Sequence, residues 1–217
     1  VSPARLQIIA PGVDLNLFKP TDRQAARDKL GLTERNVVLY VGRLEPLKGV
    51  DILIRAFADL EMVDSTRLVI VGGDMNANAI SSDLIALANE CGIADKVTFA
   101  GAIPQLQLPS YYAAADVLVL PSHYESFGLV ALEAMACGTP VVVSRVGGLK
   151  TFVRNGESGY LISWRCSDPF ARQIEIMLAN PSLRMAMGGA ALATAKRMSW
   201  EGVSDRLMDF YESIVDR

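Results

Sequence analysis

The segment from Pro121 to Glu133 holds two carboxylates, Glu125 and Glu133, around a polar loop and the start of an apolar run. An apolar stretch ends at Leu120, the loop follows, and a helix is expected to open near Ser126–Gly128. The first amides of such a helix have no partner within it, and its dipole favours an anion there. Gly128 would let a ligand come close to the backbone. Glu133 sits about two turns in, among Leu129, Val130, Ala131, Leu132 and Ala134, where a carboxylate is costly unless it is paired or bound. Carboxylates suit sugar or ribose hydroxyls because they accept from two neighbouring donors. A capping carboxylate at Glu125 and a structural ion pair at Glu133 would account for the same pattern.

A second loop, Gly42 to Gly49, also follows an apolar run and carries two cations, Arg43 and Lys48. Arginine forks onto phosphate oxygens, and lysine acts as a point charge. Solvated charges on an exposed loop are the alternative. The spacing is neither that of a Walker loop nor that of a G-x-G-x-x-G turn at a strand end. Gly147-Gly148 precedes another helix start and is either a phosphate approach or a tight turn. His123 shares the loop of Glu125, as a general base or as a histidine with no role. Asp74, after Gly72-Gly73, is read as a cap for the next turn.

These loops need elements to hold them, and the chain supplies a rhythm. A short β-branched run is followed by Gly or Pro and then by an amphipathic stretch. Val37–Val41, Leu68–Val71, Val97–Ala100, Val117–Leu120, Val141–Val143 and Gly159–Ile162 are the expected strands. They are nearly all apolar, as strands covered on both faces are. Alternation with helices implies parallel βαβ units. The expected fold class is α/β: one doubly wound, mostly parallel Rossmann-like sheet of about six strands with helices on both faces. Ligands of such sheets sit beyond the carboxyl ends of the strands, where strand order reverses. Helices are expected over Val50–Leu60, Ser82–Cys91, near Leu106–Ala114 and near Gly128–Cys137, with three more after Asp168, broken near Asn180-Pro181 and Met198-Ser199. Residues 1–20 are expected to be an interdomain linker with an edge strand over Leu6–Ala10. Residues 21–195 are expected to be this Rossmann-like domain and 196–217 a closing helix.

Composition narrows the function. There are 21 basic and 24 acidic residues, so no global positive field invites nucleic acid. The apolar runs fall short of the ~20 residues that cross a bilayer. No basic segment followed by an apolar core marks a signal peptide at the N-terminus, and a cytoplasmic location is expected. Cys91, Cys137 and Cys166 are too far apart for metal or redox pairs and fit a reduced compartment. One histidine excludes a site built on several.

The combination of Gly42-Arg43-Leu44 with Lys48-Gly49, Ala115-Asp116-Val117, Pro121-Ser122, Glu125 through Glu133 to Pro140, and Gly147-Gly148 resembles the retaining glycosyltransferases of GT-B family four. Glu125 and Glu133 match that family's E-x7-E element. The likeness covers nearly the whole chain and leans toward the sucrose-phosphate synthase and mycothiol-pathway N-acetylglucosaminyltransferase branches. The resemblance implies the donor-binding half of an enzyme that moves a hexosyl group from a nucleotide sugar, a UDP-sugar rather than a GDP- or ADP-sugar, with no metal. It implies that Arg43 and Lys48 hold the diphosphate and that Gly42 belongs to the same loop. Glu125, with the amides of Phe127, Gly128 and Leu129, would meet the transferred sugar. Val130 would lie near the α-phosphate, Glu133 on the ribose, and Ala102 and Ile103 against the base. It further implies an N-terminal acceptor domain outside this sequence, a final helix that returns to it, and peripheral membrane contact through it. Family members often carry Pro-Glu after the Gly-Gly turn, where this chain has Lys150-Thr151. An epimerase or phosphorylase on the same fold, and a non-catalytic nucleotide-binding module, are the competing readings.

Overall fold

The computed structural model describes residues 7–73, 79–163 and 166–215. Six parallel strands form one sheet in the order β3-β2-β1-β4-β5-β6. They are β1 (Asn36–Val41), β2 (Thr66–Val71), β3 (Val97–Gly101), β4 (Val117–Leu120), β5 (Val141–Ser144) and β6 (Gly159–Ile162). Every residue of β1, β4 and β5 is buried, which explains why these strands are apolar, apart from Asn36 and Ser144 at their ends, instead of alternating. Burying each Val, Leu or Ile of this kind contributes about 1.5–3 kcal/mol before the entropy of ordering is subtracted.

The helices cover both faces of the sheet. One group comprises α2 (Val50–Ala58), α3 (Ala79–Glu90) and α7 (Ser167–Ala179), in which α2 packs on the other two. The other comprises α1 (Arg23–Leu30), α4 (Leu108–Ala114), α5 (Leu129–Ala136) and α8 (Pro181–Lys196), in which α1 packs on α4 and α5 on both α4 and α8. The short α6 (Leu149–Phe152) and the terminal α9 (Trp200–Val215) complete the chain. The expected breaks are present, since Asn180 separates α7 from α8 and residues 197–199 separate α8 from α9. The expected edge strand over Leu6–Ala10 is a correction: residues 7–10 carry no regular structure, and Leu6 and Asp74 lie outside the described residues. The segment joins the rest of the fold further on, through a bridge between Val13 and Ser199 and through the buried ring of Phe18. Among the described residues no helix is long and apolar enough to cross a membrane.

Strand order places β1 beside β4, with their outgoing connections running to opposite sides of the sheet. This is the topological switch point, and the loops after β1 and β4 are the ones that bear the charged residues. The other end of the same strand pair is fastened by Asp116, just before β4. Its carboxylate is 2% exposed and receives Arg27 Nη2 at 2.7 Å, Arg23 Nη1 at 2.9 Å and the Val37 amide at 2.8 Å. Arg184 Nε lies 3.3 Å from the same carboxylate, while its Nη1 donates to the carbonyls of Met177 and Leu178 at the end of α7. One buried anion thus connects α1, β1, β4 and α8.

Candidate functional site

The loops after β1 and β4 are joined to each other before they meet any ligand. Pro46–Lys48 make one 3-10 turn that ends on Gly49, with φ at +66°. A Cβ at Gly49 would lie 2.3 Å from the Pro121 carbonyl oxygen, so a side chain would push the loops apart. The His123 amide donates to the Leu47 carbonyl at 2.9 Å. This fit brings Lys48 Nζ to 2.7 Å from Glu125 Oε2, with both side chains mostly buried.

A third loop holds the second from behind. Gly147 has φ at +49°, and a Cβ there would lie 1.5 Å from the Glu125 carbonyl oxygen. The Gly148 amide donates to the Ser126 carbonyl at 3.0 Å. Of the two readings of Gly147-Gly148, the turn that packs on the 125–127 backbone is the one the geometry supports. Lys150-Thr151 keeps that turn: Thr151 Oγ1 and its amide both reach the Gly148 carbonyl, at 2.6 and 2.9 Å.

These contacts shape a cavity of about 330 Å³ lined by Gly42, Arg43, Lys48, Glu125, Phe127, Gly128, Leu129 and Val130, with Tyr40 and Ser122 at its floor. The helix α5 begins at Leu129 behind Gly128, which has no capping side chain. Among the described residues, the amides of Phe127, Gly128, Leu129 and Val130 have no acceptor. A row of free N–H groups beside an ammonium suits an oxyanion. Arg43 lies at the mouth, its side chain 76% exposed and paired with Glu45 at 2.7 Å. Its charge is solvated there. The Tyr40 hydroxyl donates to the Arg43 carbonyl at 2.8 Å. Burial, and then the carboxylates of Glu125 and Glu45, raise its pKa, so it stays a neutral donor at neutral pH.

Glu133 is placed apart from the others, one turn further along α5. It is 8% exposed and lines a smaller depression of about 110 Å³ with Gln105, Asp14 and Trp200, and shares only Leu129 with the larger cavity. The alternative reading, a structural ion pair, does not apply, since among the described residues no cation lies within bridging distance. Its neighbour is the Tyr112 hydroxyl, which donates to Oε2 at 2.7 Å. Burial raises the Glu133 pKa, opposed by hydrogen bonds from Tyr112 and Gln105. Ala102 and Ile103 follow Gly101 at the end of β3 and line neither cavity; Gln105, two residues on, does. His123 faces a separate depression with Glu45, Asp51 and Asp83, away from Glu125.

Sequence reasoning missed Tyr40, Ser122, Gln105, Tyr112 and Trp200 as walls or supports of these cavities. The Ser122 hydroxyl is buried without a partner. Ser122 enters the sequence reading only as part of the family pattern, and the other four carry no local signal, because each looks like an ordinary strand, loop or helix residue until the sheet places it.

Comparison with known proteins decides the family: the model described as "Glycosyl transferases group 1" matches residues 22–193. The chain belongs to the group 1 glycosyl transferases. It is 43% identical over 215 residues to a D-inositol 3-phosphate glycosyltransferase of Segniliparus rotundus, covering 98% of this chain and 48% of that protein. This group 1 chain therefore spans about half the length of the curated relatives it matches. Among solved structures, sucrose-phosphate synthase of Thermosynechococcus elongatus superposes with a TM-score of 0.88 at 36% identity, covering 97% of this chain and 53% of that one. Anabaena HepE, solved with UDP and glucose, superposes at 0.86 with 28% identity, covering 95% and 56%. The expected fold class and both expected branches of the family agree with these likenesses.

Proposed function

We propose that this chain is the donor-binding half of a retaining glycosyltransferase, taking a UDP-sugar and passing its hexosyl unit to an acceptor held by residues outside this sequence. The convergence of Lys48, Glu125 and the free amides of Phe127–Val130 at the switch point carries this reading. In a glycosyl transfer, negative charge builds on the departing diphosphate as the bond to the sugar breaks. Lys48 and those amides are preorganised donors for that charge, a form of electrostatic stabilisation that needs no proton transfer, and Arg43 would join them by leaving Glu45 at the mouth. Glu125, on the same cavity wall, would accept from hydroxyls of the sugar. Val130 would lie at the α-phosphate, Glu133 in its side depression would take the ribose, and the 101–105 loop would receive the base. The UDP preference draws on the likeness to HepE, which was solved with UDP.

The test is calorimetry of the chain with UDP, GDP and ADP. UDP should bind with at most millimolar Kd and raise the melting temperature with the logarithm of one plus its concentration over Kd, without turnover of a UDP-sugar. No binding of any of the three at millimolar concentration would overturn the proposal. Gly147→Ala is a second check on the support of the site. Its Cβ must displace the Glu125 carbonyl, and its positive φ is strained for alanine. UDP affinity should fall by at least about tenfold, which is about 1.4 kcal/mol. Unchanged affinity would mean that the 125–127 backbone does not need that position.

A further inference from the structure

We propose that Tyr112 is a positioning residue for the donor: its buried hydroxyl binds one oxygen of the Glu133 carboxylate and leaves the other for the ligand. The inference rests on the reading that Glu133 meets the ribose, and goes beyond it by naming what aims that carboxylate. Glu133 could otherwise turn about its side-chain bonds, because no cation among the described residues holds it.

The geometry is specific. Tyr112 is fully buried on α4, and its hydroxyl donates to Glu133 Oε2 at 2.7 Å. Its backbone is fixed in turn, since Thr139 Oγ1 donates to the Tyr112 carbonyl at 2.7 Å. Phe18 packs edge-on against its ring, with centroids 5.9 Å apart. The same Phe18 lines the depression that Glu133 enters. A chain of contacts therefore runs from the core to Oε2, and Oε1 is the oxygen that Tyr112 does not occupy, in a depression that Gln105 also lines.

A buried tyrosine hydroxyl requires some partner, so a purely structural bond is the competing account. The two differ in their dependence on pH. A carboxylate accepts from ribose hydroxyls at both oxygens and a protonated carboxyl chiefly at its carbonyl oxygen, so binding through Glu133 weakens as pH falls through its pKa. Burial already raises that pKa, and the Tyr112 donor opposes the rise. Removing the donor raises it further and moves the loss to higher pH. The titratable groups facing Glu133 are Tyr112 from α4, Cys137 from the end of α5, and Asp14 from the N-terminal segment across the depression. Burial holds the Tyr112 hydroxyl well above its usual range and pushes the Cys137 thiol up to about 12. Neither changes charge in the window of interest. Asp14 is common to all variants.

The experiment measures UDP affinity from about pH 8 to pH 5 for wild type, Tyr112→Phe and Glu133→Gln. UDP's own ionisation cancels in the ratio of Kd values between variants. The Tyr112→Phe ratio should climb as pH falls, by about tenfold for each pKa unit through which Glu133 is lifted. The Glu133→Gln curve should be weakened at high pH and lack this climb. Weakened binding in Glu133→Gln with a flat ratio in Tyr112→Phe overturns the role of Tyr112 and leaves the ribose reading intact. Unchanged binding in Glu133→Gln at every pH overturns the ribose reading and this inference with it. Should Tyr112→Phe fail to fold, 3-fluorotyrosine at position 112 gives the same comparison with opposite sign. Its stronger donor should move the loss of binding to lower pH, and no movement overturns the proposal.

Discussion

Asp116→Ala should lower the unfolding free energy by about 3–5 kcal/mol, the cost of removing one partner from a buried charge network. The carboxylate is 2% exposed and sits among Arg23, Arg27 and Arg184, with Arg27 and Arg184 themselves mostly buried. Its loss leaves buried guanidinium groups facing one another without an anion, and it orphans the Val37 amide at the start of β1. Burial lowers the Arg184 pKa while Asp116 holds it up, so the arginine is the group most exposed to the change. Chemical denaturation of both proteins measures the difference; a loss under about 1 kcal/mol would show that water replaces the carboxylate freely. The cluster lies at the opposite end of β4 from the cavity, so the folded fraction of the variant should bind UDP with wild-type affinity.

Lys48→Ala should weaken UDP binding by about 1.5–3 kcal/mol, the usual loss of a hydrogen bond to a charged group. Glu125→Gln should do the reverse. In the free chain Glu125 neutralises Lys48 at 2.7 Å, and a diphosphate must take the ammonium away from it. With glutamine at 125 the buried ammonium has no carboxylate partner until UDP arrives, so UDP should bind up to about tenfold tighter, near 1.4 kcal/mol. The gain should belong to UDP and shrink for a UDP-sugar, whose hydroxyls lose the carboxylate they donate to. Titrating UDP and a UDP-sugar against both variants decides the matter. If Glu125→Gln weakens UDP as much as Lys48→Ala does, the ion pair is part of the phosphate site and not a competitor for it.

Much of the fold was legible because its causes are local. A strand buried on both faces must be apolar along its whole length, as Val37–Val41 and Val117–Leu120 are, and that alone separates a parallel sheet from an alternating one. The helix breaks at Asn180 and after Met198 follow from residues that end helices or cap them. The edge strand over Leu6–Ala10 failed for the converse reason: an apolar run of that length forms a strand only where a sheet edge receives it, and residues 7–10 meet none.

By themselves, the residues determined the sheet, the loops that carry charge, and through their combined motifs, the E-x7-E element among them, the family to which the chain belongs. Spacing along the chain could not tell whether Arg43, Lys48 and Glu125 would meet a ligand or each other. Strand order decided that, because it sets β1 beside β4 and so presses Lys48 onto Glu125 across a join only Gly49 permits. It also parted Glu133 from Glu125, one turn of α5 being enough to place it in another depression against Tyr112. Local pattern specifies which groups a segment offers. Which of them share a cavity, and which neutralise one another there, depends on contacts between residues far apart in the chain.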